Sequence, residues 1–325
     1  MQYGSAMKSM EHPSDVDAGR APAAGRRASH ARDASRVPHV LSVDVEEYFQ
    51  SETFARAVPR DAWDGIPSRV EPAVDLLLER FADARVHATF FVLGWIAERH
   101  PGMVSRIAAE GHEIASHGWS HAPILRLTPG EFEDEVVRSK RLLESISGDP
   151  VLGYRAPTFS VTRTTLWALP ILARVGYGYD SSVFPVHHDR YGIPDAPLDA
   201  HRREGGIWEL PLSVITLGSY RLPFAGGGYL RMYPYALTRL GLRELSRAGR
   251  PGVVYVHPWE FDPRQPVIRG VGMVSTTRHR IGTTSNESKL VRLLNEFEFA
   301  TAREVLARLG CDPATRADAG TRGVS

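Results

Sequence analysis

The chain has 325 residues, 42% hydrophobic and 24% charged, which is ordinary soluble globular material, long enough for one large α/β barrel or two smaller domains. Thirty-nine basic against 38 acidic side chains leave a formal charge of +1, too little to steer the whole molecule onto nucleic acid or an anionic membrane. The single cysteine, Cys311, excludes an internal disulfide, argues against a thiolate metal site within one chain and leans the compartment toward a reducing one. No apolar run of about 18 residues occurs, so no transmembrane helix is expected. Residues 1–37 are rich in Ala, Arg, Gly, Ser and Asp, and Arg26-Arg27 is followed by Ala-Ser-His-Ala-Arg-Asp instead of an apolar h-region. A disordered arm and a cytoplasmic location are expected, with a second disordered tail over residues 311–325.

Val40 to Glu46 reads as an apolar strand ending in acids. Ser68 with Glu71 three residues on predicts a capping box opening a helix whose buried stripe is Val70, Val74, Leu77, Leu78 and Phe81. His87 to Leu93 is a near-continuous apolar run, the pattern of a parallel strand covered on both faces, and helical sequence follows from Trp95 to Glu110. A strand over Glu113 to Ser116 leads into His117-Gly118-Trp119-Ser120-His121. If one helical turn starts at His117, the two imidazoles share a face, as a first-row metal held by nitrogen requires, and a carboxylate from another strand end would complete three protein ligands. The competing reading is one helix-capping histidine and one surface histidine.

Thr128-Pro129-Gly130-Glu131 opens another helix, to about Ser147, with its cap, proline and N3 glutamate in place. Strands over Val151 to Arg155 and Tyr177 to Asp180 flank a helix over Thr164 to Arg174. Then come a strand over Ile207 to Val214, a helix over Tyr235 to Ala248, a buried-type strand Val253 to His257, a helix over Asn286 to Phe297, and a last helix capped by Thr301 with Glu304. Repeated βα units argue for a (β/α) barrel, whose chemistry sits at the C-terminal ends of its strands. Asp44, Glu46, His117, His121, Arg155, Asp180 and His257 all fall at or just past such ends.

These stretches resemble the NodB-homology polysaccharide deacetylases, of carbohydrate esterase family 4 type, over about Pro38 to Gly310. The chain is most similar to the branch with a C-terminal extension (about 224–310) that accompanies exopolysaccharide and exosortase systems. The resemblance implies an α/β fold, a distorted (β/α) barrel of roughly seven strands. Ser42-Val43-Asp44-Val45-Glu46-Glu47-Tyr48-Phe49 matches the first motif and implies Asp44 as general base, while His117-Gly118-Trp119-Ser120-His121 matches the metal motif. Arg155-Ala156-Pro157 implies an arginine pairing the base, Asp180 fits the fourth motif, and Tyr255-Val256-His257 implies His257 as acid. Pro258 to Pro263 and Arg278-His279-Arg280 look like marks of the extended branch.

One departure stands out: the family's second adjacent aspartate, its third metal ligand, is Val45 here. Strand alternation returns Glu46, not Val45, to the face of Asp44, so Glu46 is the ligand candidate, with Glu47 as substitute if the backbone bends. The implied chemistry is hydrolysis of an N-acetyl group of an N-acetylhexosamine-containing polysaccharide by water activated at a divalent metal, Zn²⁺ first, with Co²⁺ or Ni²⁺ as substitutes. The N–H of Thr158 would hold the oxyanion, and Asp180 would favour the cationic form of His257. Loops over Phe184 to Gly206 and Asp262 to Ser285 are expected to hold substrate. Phe224, Tyr229, Tyr233 and Trp259 are candidates for stacking sugar, against the alternative that they belong to the core. Two other functions fit the sequence: a cyclic ureide or imide amidohydrolase on the same fold, and a carbohydrate-binding relative that has lost catalysis.

Overall fold

The structure, a computed structural model, describes residues 37–315 apart from Asp189 and Ser219, so nearly all of the expected arm and the tail from residue 316 lie outside the described residues. Cys311 and Pro313 are buried, so the fold is packed past the expected boundary at Gly310. The strands are β1 His39–Val45, β2 Thr89–Val92, β3 Glu113–Ser116, β4 Gly153–Tyr154, β5 Tyr179–Asp180, β6 His201–Arg202, β7 Trp208–Glu209, β8 Val214–Leu217, β9 Tyr220–Pro223, β10 Val253–Val256 and β11 Phe299–Ala300. A 9-stranded sheet runs β10-β1-β2-β3-β4-β5-β7-β6, with β11 added beside the start of β1. Every pair in it is parallel except β6 with β7, and β8 with β9 is a separate hairpin. Helices alternate with the strands, giving the expected (β/α) barrel in an open, curled form with more strands than the roughly seven expected.

The two faces of this sheet bury different material. Leu41, Val43 and Val45 of β1, with Phe90, Val92, Ile114, Tyr154, Val254 and Val256, join the core under the helices Val70–Ala84, Pro101–Ala109, Pro129–Ser147 and Ala168–Val175. The alternate residues Val40, Phe91, Ala115, Tyr179, Val253 and Tyr255 form the second cluster, on the concave side. The period of two thus puts Ser42 and Asp44 on the concave side with Phe91 and Tyr255. Because the strands are parallel, their C-terminal ends open at the same end of the sheet. The helix Ala302–Arg308 lies at the other end, where Ala302 N bonds Thr89 Oγ1 at 2.7 Å.

Local chemistry moved several expected boundaries. Ser68 does not cap the first helix: Arg69 stands at the N-cap without a side-chain bond, and Ser68 Oγ donates to Glu47. The strand expected over Ile207 to Val214 is split, because Pro211 has no N–H to continue a ladder, into β7 and the start of the hairpin. The helix expected from Thr164 starts at Ala168, after a turn in which Thr162 N bonds Thr165 Oγ1 at 2.7 Å. The segment Asp262 to Ser285 is not all loop, since it contains the helix Met273–Arg280. The capping boxes at Thr128 with Glu131 and Thr301 with Glu304 are both formed. Among the described residues no helix is long and apolar enough to cross a membrane.

Candidate active site

The register of the parallel strands assembles the site. Val45 pairs with Val92, Val92 with Ser116 and Ser116 with Tyr154, so Glu46, His117 and Arg155 each lie one residue past the same row and leave the sheet together. Both His117 Nε2 and His121 Nε2 face Glu46 Oε1, at 3.0 and 2.9 Å, and all three residues are buried. Their ligand atoms lie within 4.8 Å of one another. No helical turn brings the histidines together, contrary to the expectation. Gly118 and His121 both take left-handed backbone, φ 78° and 57°, and Glu135 ties the bend by accepting from Ser120 Oγ and from the N–H groups of Trp119 and Ser120. The bend seats on the next βα loop, where Gly94 N bonds Gly118 O at 2.8 Å and a Cβ on Gly94 would meet the Trp119 ring at 2.3 Å. A non-glycine residue held at positive φ in a buried ligand position is the kind of stored strain that functional sites carry.

The donor set fits a metal ion. His117 Nδ1 is 2.8 Å from the Arg155 carbonyl, which can only accept, so Nδ1 carries a proton and Nε2, 3.0 Å from a carboxylate oxygen, is the nitrogen left to bind a proton or a cation. Two acceptors face each other at hydrogen-bond distance only if a proton or a cation lies between them, and two imidazoles with one carboxylate form a common catalytic zinc set. Burial opposes ionisation of Glu46, but His121 and His257, with the hydrogen bonds to His117 and His121, overcome it and hold the carboxyl well below its usual range. Glu47 is not free to substitute: its carboxylate accepts from Ser68 Oγ, Arg69 N at 3.1 Å and Val70 N at 3.3 Å, and so caps the helix Val70–Ala84.

Asp44 stands beside this group, with Oδ1 2.7 Å from Arg155 Nη1. Arg155 is fully buried and fixed on every side, by Ser42 Oγ at 2.8 Å, Ser181 O at 3.0 Å, Ser181 Oγ at 3.0 Å and the Phe91 ring 4.0 Å away. On the far side His257 Nε2 is 4.0 Å from Asp44 Oδ2 and 3.9 Å from Glu46 Oε1. Burial favours neutral His257, but the carboxylates of Glu46, Glu260 and Asp44 prevail and raise its pKa to about 9. A cation held by Glu46 would cancel part of that support and leave Glu260 as the principal remaining partner. Glu260 is fully buried, its Oε2 lies 3.5 Å from His257 Nδ1 and 3.0 Å from His257 N, and its Oε1 is held by Arg231 Nε at 2.8 Å.

Sequence reasoning gave Glu260's place beside His257 to Asp180, and the register corrects this. Asp180 pairs with Tyr154 and Glu209, in the row that contains Val45, so its side chain leaves the opposite face from Asp44 and His257. There Ser182 Oγ donates to Asp180 Oδ1 at 2.5 Å, while Val183 N donates to Glu209 Oε1 at 3.0 Å. Burial raises both carboxyls, Glu209 well above the usual range with Asp180 beside it, which favours a proton on the pair. A cue for Glu260 was present: in His257-Pro258-Trp259-Glu260, a proline at N1 and a glutamate at N3 return the carboxylate to the first residue.

One pocket of about 820 Å³ takes in Asp44, Glu46, His117, His121, Thr158, Tyr229, His257, Trp259 and Glu260. Thr158 and Phe159 have φ 58° and 52°, and among the described residues the buried Thr158 hydroxyl has no partner. Tyr229 lines the wall with its hydroxyl 3.1 Å from Tyr191 Oη. Trp259 is not an open platform: it is 8% exposed, and His257, His279 and Arg231 already lie against its ring. Phe224 is buried core, and its ring fills the space a Cβ on Gly241 would need.

Residues 62–178 match the family model described as polysaccharide deacetylase, and residues 181–307 match a domain of unknown function, DUF3473. A peptidoglycan-N-acetylglucosamine deacetylase of Bacillus cereus is 32% identical over 93 residues, covering 28% of this chain and 34% of that protein. A peptidoglycan deacetylase of Helicobacter pylori is 28% identical over 146 residues, covering 44% and 48%. The chain therefore spans about a third to a half of the length of these curated relatives. A solved structure from Mycobacterium smegmatis, assigned to the polysaccharide deacetylases, shares the fold with a TM-score of 0.55 at 20% identity, over 89% of this chain and 96% of that one. Fold and site together define a (β/α) barrel with a Glu/His/His group able to hold a metal ion. Over residues 62–178 the chain carries a domain of the polysaccharide deacetylase family, in line with its resemblance to the NodB-homology enzymes. Its site draws on both matched segments and on β1, which precedes them: Asp44 comes from β1 and Glu46 from the residue just past it, His117, His121 and Arg155 from the first segment, and Tyr229, Arg231, His257 and Glu260 from the second.

Proposed function

We propose that this chain is a metal-dependent hydrolase that removes N-acetyl groups from an N-acetylhexosamine-containing polysaccharide, an exopolysaccharide or its precursor, with Zn²⁺ held by Glu46, His117 and His121. The observation that carries the reading is the flanking of one Glu/His/His group, inside one pocket, by an arginine-held carboxylate and a histidine whose Nδ1 lies 3.5 Å from a buried carboxylate. The ion supplies Lewis-acid charge and a water acidic enough to react near neutral pH. Asp44, fixed by Arg155, receives the proton that water gives up. The Thr158 N–H, at the pocket wall in a turn held by two positive φ angles, donates to the developing oxyanion. His257, kept cationic and oriented by Glu260, protonates the departing amine nitrogen. Glu46 makes good the missing aspartate at Val45, which favours an active enzyme over a lapsed binding module. We also propose residues 38–310 as one catalytic unit, the branch-specific extension from about residue 224 included.

The test is acetate release from N-acetylglucosamine oligosaccharides by zinc-loaded protein. Asp44→Asn should keep its metal and lose on the order of 10² to 10⁴-fold in kcat. Metal loss in that variant would make Asp44 a ligand, and a wild type that opens cyclic ureides but releases no acetate would move the chain to the other amidohydrolase class.

A further inference from the structure

The pocket extends well beyond the space an acetamido group needs, and its remaining wall has a sign. Four arginines outside the catalytic group line it, namely Arg56, Arg126, Arg190 and Arg278. Arg126 is paired with Glu52. Arg56, Arg190 and Arg278 are exposed and have no acidic partner among the described residues. The chain as a whole carries only +1, so this excess is local to the pocket.

Two of these cations converge. Arg190 precedes Tyr191 in one long loop and Arg278 comes from the helix Met273–Arg280, yet both line the pocket that Tyr191 lines. Burial and the bond to Tyr229 push that hydroxyl up, and the two guanidinium charges pull the other way. The Tyr191 ring is braced by His188 stacked at 3.8 Å and Phe184 stacked at 5.6 Å. The result is a braced pair of phenol hydroxyls, 3.1 Å apart, lining the same pocket as an arginine from each of two separate elements. Guanidinium forks grip carboxylate and phosphate oxygens, and phenol hydroxyls donate to the same acceptors.

We infer that Arg190, Arg278, Tyr191 and Tyr229 bind an oxyanion of the saccharide, a carboxylate or phosphate next to the N-acetylated sugar, so that the substrate is an acidic glycan. The inference rests on the deacetylase reading of the site and gives the segment of unknown function a task, because all four residues lie in 181–307. A neutral glycan would leave these cations facing water, and an acidic one places its charge where it also locates the acetamido group over Glu46.

Binding is measured by calorimetry on the Asp44→Asn protein, so hydrolysis is not needed, with three probes: neutral chitotetraose, a hyaluronan tetrasaccharide carrying uronate carboxylates, and UDP-N-acetylglucosamine carrying phosphates. One of the two acidic probes should bind at least about tenfold tighter than chitotetraose, and which one does so assigns carboxylate or phosphate. Raising salt should erode the preference. Arg278→Gln and Arg190→Gln, both at exposed positions, should each collapse the ratio of acidic to neutral affinity, and Lys at either position should restore part of it. Equal affinity for all three probes, or a ratio unchanged in both variants, overturns the inference. Failure of wild-type protein to release acetate from any glycan sinks the deacetylase reading but leaves the binding ratio to decide this one.

Discussion

Glu46 and Glu113 are both buried glutamates on the same sheet, and they sit at its opposite ends. Glu46 leaves the C-terminal end of β1 into a ring of histidines, which hold its carboxyl well below the usual range. Glu113 opens β3 at the N-terminal end, where Thr89 Oγ1 at 2.7 Å, Tyr179 Oη at 3.0 Å and Arg303 N at 3.1 Å all donate to it. Burial there outweighs those neutral donors and raises its pKa. Desolvation is the largest single influence on both groups, so burial alone does not mark a functional acid. What differs is the facing charge: cation-capable rings and an 820 Å³ pocket at one end, hydroxyls and the closing helix Ala302–Arg308 at the other.

The largest expected effect breaks the comparison at the ligand end. His117→Ala and His121→Ala should each cost metal affinity more than the roughly 10 to 100-fold that loss of an outer-shell partner costs, and should abolish acetate release. Metal analysis after dialysis checks this, and full occupancy in both variants would show that the ring of histidines around Glu46 is structural. A smaller effect is expected one layer out. Glu260→Gln removes the charge behind His257 while keeping its size, so kcat on N-acetyl substrates should fall up to about 10²-fold. An activated aryl acetate, whose phenolate leaves without protonation, should be nearly unaffected, and Glu260→Asp should recover part of the loss. Equal losses on both substrates, with metal retained, would reduce Glu260 to a support for the turn at Pro258.

Much of the ligand end was legible because its signals are local. His117 and His121 stand four residues apart after an apolar strand, and alternation along Val43-Asp44-Val45-Glu46 puts both acids on one face without any knowledge of neighbours. Asp180 was misread because the side a residue faces in a two-residue strand is fixed by the register with β4 and β7, which no stretch of sequence encodes by itself, whereas Glu260 was passed over although its cue, the proline and glutamate after His257, is local. The helix expected at His117 failed because the bend there is imposed by Glu135, from a later helix, and by close approach to Gly94. Glu47 looked like a spare ligand because its true partners, the N–H groups of Arg69 and Val70, lie more than twenty residues on.

The smallest effect tests the other end. Glu113→Gln keeps the shape of the side chain, and its amide can be met without a clash: the Gln oxygen accepts from Thr89 and Arg303, and its NH₂ faces Tyr179 Oη, which can turn and accept. The cost under acid conditions should therefore stay within about 1 kcal/mol. The sign of the pH dependence follows from the raised carboxyl of the wild type. A group that holds its proton more tightly folded than unfolded contributes stability that is complete below the unfolded value, near 4.5, and is lost as pH rises through the folded value. Glutamine has no such term, so the variant should gain on the wild type as pH climbs past 4.5, by about 1.4 kcal/mol for each unit of upward shift and hence by a few degrees in melting temperature. Metal content and kcat should not change. Parallel melting curves for the two proteins from pH 4.5 to 7 would mean that Glu113 titrates normally, and a loss of rate would mean that the two ends of the sheet are coupled, so that the contrast between Glu46 and Glu113 would no longer separate function from support.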